Sequence, residues 1–84
     1  MTSVEGKDLE LFCKTAKTIF RKGHLTLDAL LRFVGSRDHR RDKKILEKLF
    51  KLGLLVKHRS DTYELSSIGR MFAMDRCEWF KERK

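Results

Sequence analysis

The sequence predicts a mainly helical α+β domain with one small β-hairpin, in the order helix, short strand, helix, helix, strand, strand, helix. Three observations predict it. Apolar residues recur at three- and four-residue steps in four separate stretches. A glycine falls just after each of the first three, at Gly23, Gly35 and Gly53. Between residues 54 and 65 the pattern changes to two β-prone runs separated by Ser60-Asp61, a pair suited to a tight reversal.

Leu9, Phe12, Cys13, Ala16, Ile19 and Phe20 make one stripe on a first helix over residues 7–22, where Arg21 and Lys22 precede the glycine stop. Residues 1–6 lack such a pattern and are expected to fray. Leu25 and Thr26 can pair as a very short strand, and Thr26 can also cap a second helix over residues 27–34, with Leu27, Leu30, Leu31 and Val34 on its apolar face. The third helix starts between residues 37 and 40, with Ser36 or Asp38 as its cap, and ends at residue 52 before Gly53. Ile45, Leu46 and Leu49 point inward on it. The 100° step puts Arg37, Arg40, Lys44, Glu47 and Lys51 on the opposite side, flanked by Arg41, Lys43 and Lys48. Residues 54–59 and 62–65 form the hairpin. Ser66 caps a last helix over residues 67–82, with Ile68, Met71, Phe72 and Trp79 on one side and a second strip of Ala73, Cys77 and Phe80 roughly opposite.

The 84 residues make a single domain, 1–84, small enough to bury only a little over ~60 % of the surface its unfolded chain exposes. No apolar run approaches the ~20 residues that span a bilayer, and the amino terminus has no signal-peptide core. An intracellular, cytoplasmic protein without a membrane partner is therefore expected. In that setting Cys13 and Cys77, both on apolar helical stretches, are expected to be reduced, buried thiols. Catalysis is not expected: there is no glycine-rich phosphate loop, no paired carboxylates and no Ser, His and Asp set in matching context. Cys13, His24, His39, His58 and Cys77 are scattered without metal-type spacing. No metal, cofactor or small-molecule ligand is predicted.

Charge supplies the functional signal. The net charge of +8 sits mainly in the middle third, where residues 36–59 hold nine Lys or Arg against three acids, while residues 60–84 balance at five of each. Residues 36–44 alone contain five Lys or Arg, one His and no apolar side chain. Such a cluster repels itself without a counter-anion and raises the local concentration of polyanions, so a phosphate backbone is the natural partner.

The Leu-x-x-x-Gly-Leu pattern from Leu49 to Leu54 and the Tyr-x-Leu-Ser-x-x-Gly pattern of Tyr63, Leu65, Ser66 and Gly69 resemble the MarR- and ArsR-like winged helix superfamily of transcription regulators. The resemblance covers residues 25–72. It implies a winged helix-turn-helix in which helix 37–52 enters the major groove of double-stranded DNA while the 54–65 wing lies on flanking backbone. The implied DNA-binding residues are Arg37, His39, Arg40, Arg41, Lys43 and Lys44 on the helix, with Lys57, His58 and Arg59 on the wing. Arg40 is the expected base reader and the lysines the expected phosphate contacts. Leu11, Ala73, Cys77 and Phe80 supply a candidate homodimer interface; the other reading closes this strip onto the first helix within one subunit. Asp42 departs from the family pattern at a usually apolar, inward position, and if buried it needs a nearby Arg or Lys. A protein-interaction module of a larger transcription or replication assembly is the competing function.

Overall fold

The computed structural model describes residues 4–58 and 60–81. Its elements are α1 (Lys7–Lys22), β1 (Leu25–Thr26), α2 (Leu27–Phe33), α3 (His39–Lys51), β2 (Leu55–Lys57), β3 (Thr62–Leu65), α4 (Ser67–Arg76) and α5 (Glu78–Lys81). The described residues thus form a mostly helical α+β fold of five helices and a three-stranded antiparallel sheet.

Side-chain oxygens start three of the helices. Thr26 accepts from the Ala29 amide at α2, Asp38 from Arg41 at α3 and Ser66 from Gly69 at α4. Each occupies one of the amide donors that a helix start leaves unpaired. Glycine ends two of them. After α3, Gly53 takes φ +84°, its amide donates to Phe50 and the Leu54 amide donates to Leu49; after α2, Gly35 repeats the arrangement at φ +71° with Arg32 and Leu31. Both are paired-hydrogen-bond stops that use a left-handed residue.

Strand order is β1-β3-β2. Leu25 lies opposite Tyr63 and Thr26 opposite Thr62, while β2 pairs Leu55, Val56 and Lys57 with Leu65, Glu64 and Tyr63. At the hairpin end Asp61 adopts φ 56°, a conformation that a short polar side chain tolerates.

The core gathers around α1. Phe12, Ala16, Leu30, Leu49 and Ala73 are fully buried, with Leu46, Leu54, Leu55 and Leu65 packed beside them, and Phe12 meets the Phe72 ring edge-on at 5.3 Å between centroids. Val4 is buried in the same core. The expected fray over residues 1–6 therefore does not hold from Val4 onward, because an apolar side chain docks there; residues 1–3 lie outside the described residues.

The last helix differs more. It breaks at Cys77, whose backbone is extended (φ −100°, ψ 122°), into α4 and α5, and residue 82 lies outside the described residues. Cys77 forms a disulfide with Cys13 across 64 residues of sequence, so the expected reduced thiols are corrected. The second strip of the C-terminal region folds back on α1, which brings the two Cα atoms to 5.5 Å, a separation that a disulfide spans. Trp79 donates its indole N–H to the Cys13 carbonyl at 3.0 Å, and its ring packs with those of Phe20 and Phe80. This packing uses up the candidate dimer strip. Leu11, Ala73 and Cys77 are buried within the chain and Phe80 is half-buried against Phe20. Ile68 and Met71 instead face water, at 63 % and 69 % exposure, because Gly69 and Ala73 carry the inward side of α4.

Candidate nucleic-acid interface

The basic face starts from the Asp38 cap. Because Asp38 accepts from the Arg41 amide at 3.1 Å, α3 begins at His39 and leaves Arg37 in the preceding turn. Arg37, His39, Arg40, Arg41, Lys43 and Lys44 are all exposed. The helical step places Arg40, Lys44, Glu47 and Lys51 opposite the buried Leu46 and Leu49. His39 and Lys43 fall on the side where Phe50 meets Tyr63 of β3, with ring centroids 6.0 Å apart. Arg41 and Lys48 fall on the other side, where Lys48 binds Asp8 of α1 at 2.6 Å. Among the described residues Arg37, Arg40, Lys43, Lys44 and Lys51 have no ion-pair partner. Their charge is available to an external anion.

Arg41 is committed differently. Asp42 does point inward, at 5 % exposure; its carboxylate accepts from the Ser36 hydroxyl at 2.6 Å and from Arg41 Nε at 3.2 Å. A buried carboxylate is tolerable only with such partners. The cluster ties the turn between α2 and α3 to the first turn of the basic helix, so it orients Arg37 and Arg40. The 100° step alone shows that Asp42 shares a side with Leu46 and Leu49; its Ser36 partner depends on the turn's path, which has no comparable periodicity.

The hairpin contributes less free charge than its composition suggests. Lys57 is 3.2 Å from Asp61. His58 lies on the sheet face with its Nε2 2.6 Å from Glu64 and its ring 5.0 Å from that of His24, which in turn meets the Thr62 hydroxyl at 2.9 Å. His58 is thus held by its own sheet rather than presented with Lys57. Arg59 lies outside the described residues.

Among the described residues no group of His, Cys, Asp and Glu is arranged to hold a metal ion, and no helix is long and apolar enough to cross a membrane. Comparison with known protein families found none that matches the chain, and comparison with curated proteins found no match either.

Proposed function

We propose that the chain is a DNA-binding winged helix domain that acts as a small transcription regulator. In this reading α3 enters the major groove, whose ~12 Å width admits a helix, and the β2–β3 hairpin rests on flanking backbone. The observation that carries it is the solvent side of α3. Arg40, Lys44 and Lys51 stand in one row, which also holds Glu47, with Arg37 and Lys43 beside them, and among the described residues none of these cations is within ion-pair distance of an acid. Arg40 makes a two-pronged contact with guanine O6 and N7, while Lys43 and Lys44 meet phosphates as point charges. With His58 engaged by Glu64 and Lys57 paired with Asp61, the hairpin contributes less to binding than α3 does.

A two-fold pair of domains would set two recognition helices ~34 Å apart, one turn of DNA. With Leu11, Ala73 and Cys77 consumed by the core, the second copy would pack on Ile68, Met71 and Met74, the exposed side of α4. The same apolar side is what favours the alternative reading, a protein-interaction module docked on a larger assembly.

Selecting bound duplexes from a random library, then titrating variants on the selected site and its single-base substitutions, tests the residue roles. Arg40→Ala is expected to lose about 1–3 kcal/mol of discrimination at one base pair. Lys44→Ala is expected to weaken all sequences alike and to lower the salt slope by about 0.9. Equal losses at every base pair for Arg40→Ala would remove it from base readout.

A further inference from the structure

A second basic surface lies away from the solvent side of α3. Lys7, Lys14, Lys17 and Arg21 fall on one side of α1, opposite the buried Phe12, Thr15, Ala16 and Ile19. Fourteen residues at 1.5 Å rise make that row ~21 Å long. Where α1 passes α2, a cleft of about 300 Å³ is lined by Lys14, Lys17, Thr18, Arg21, Lys22, Phe33 and Val34, with no acid among them. Glu10 is the one acid within the row, and it is matched by Lys14 at 3.7 Å. Among the described residues Lys17, Arg21 and Lys22 have no ion-pair partner.

The row is continuous with the α3 site. A neighbouring cleft of about 390 Å³ shares Lys14 and Val34 with the first and brings Lys7, Arg37 and Arg41 together with the acids Glu10 and Asp42. Cations therefore extend from the turn before α3 along α1, with the Lys14–Glu10 and Arg41–Asp42 pairs between the two groups.

We propose that this row is a second phosphate-backbone surface, which engages nucleic acid beyond the segment held by α3. The inference rests on the DNA-binding reading of α3. A rigid helix with cations along ~21 Å of its axis suits a regular polyanion, which presents a phosphate every ~3.4 Å of rise on each strand. An acidic peptide lacks that regular spacing; the Phe33 ring, 50 % exposed with the Lys22 ammonium 4.5 Å from its centroid, is the aromatic surface such a peptide would find in the cleft. The phosphates come either from the same duplex, bent around the domain, or from a second duplex bridged to the first.

The test compares a duplex of about ten base pairs, one helical turn, with one of about thirty, long enough to bend. Binding is measured over a salt series for the wild type and for the triple variant Lys17→Ala, Arg21→Ala, Lys22→Ala. These side chains are at the surface and alanine is a good helix former, so the variant should fold, which its circular dichroism melt verifies. The wild type is expected to have a salt slope steeper by about 2–3 on the long duplex, at about 0.9 per phosphate contact. The triple variant should lose that difference and keep its short-duplex affinity. End-to-end fluorescence transfer rising on one long duplex identifies bending, and co-retention of a second labelled duplex identifies bridging; either supports the proposal. Without co-retention of a second duplex, equal losses on both lengths or no length dependence in the wild type would overturn the proposal while leaving the α3 reading intact. Binding to neither duplex would overturn both. Retention of a labelled poly-glutamate peptide in excess duplex, abolished in the triple variant, would assign the row to an acidic protein partner instead.

Discussion

Replacing Asp42 with alanine removes a carboxylate whose side chain is only 8 % exposed, together with its bonds to Ser36 and Arg41. A hydrogen bond to a charged group contributes about 1.5–3 kcal/mol. The Arg41 pair, with the arginine side chain 49 % exposed, adds at most about 1 kcal/mol. Their loss should therefore cost roughly 2–4 kcal/mol, a large share of the ~4–13 kcal/mol that a domain of this length holds. The melting midpoint should fall by about 10–25 °C. Asp42→Asn keeps an acceptor for Ser36 and should cost less, roughly 1–2 kcal/mol. Denaturant unfolding followed by circular dichroism measures each value. A double-mutant cycle with Ser36→Ala should return a coupling of about 1 kcal/mol or more. If Asp42→Ala stayed within ~0.5 kcal/mol of wild type, or if the two changes were additive, the cluster would not be what orders the turn before α3.

Three further substitutions probe the frame around the site. A Cβ at Gly69 would stand 2.0 Å from the Leu54 carbonyl oxygen, a backbone atom, so Gly69→Ala should lower stability by about 2 kcal/mol or more in urea titration; a neutral result would mean that α4 does not seat against the start of β2 as described. Leu49→Ala opens a cavity at a fully buried position and should cost ~2–5 kcal/mol by the same assay, with a fully stable variant contradicting the inward side of α3. Reducing the Cys13–Cys77 disulfide should lower the melting midpoint by the equivalent of about 2–4 kcal/mol, whereas the Cys13→Ala, Cys77→Ala variant should melt alike with and without reductant.

What could be read from the chain divides along the range of the forces involved. The ends of α1, the stops at Gly35 and Gly53 and the caps at Thr26 and Ser66 follow from side chains within four residues of one another, so the sequence carries them. The β1 strand was legible for the same reason, since Leu25-Thr26 is β-prone and needed only β3 to pair with. The third helix's cap lay between Ser36 and Asp38; the structure assigns it to Asp38, while Ser36 turns its hydroxyl to Asp42. The break at Cys77 was not legible, because it depends on where α1 passes 64 residues earlier in sequence. For the same reason the strip of Ala73, Cys77 and Phe80 reads equally as dimer surface or as core until α1 is in place. At the candidate site, the exposure of Arg40, Lys43 and Lys44 follows from helical periodicity, while Arg37 is exposed in the turn before α3. The capture of His58 by Glu64 does not, since it needs the register that places Val56 opposite Glu64.

On the proposed reading, the cations of α3 meet a phosphate backbone. Titration of the wild-type protein with random duplex DNA across a salt series, with sedimentation of the same sample to count subunits, tests it most directly. Tight binding at low salt is expected, with a log–log salt slope of several units, at about 0.9 per phosphate contacted. Absence of binding at low salt would contradict it and leave the exposed Ile68, Met71 and Met74 side of α4 as the functional surface.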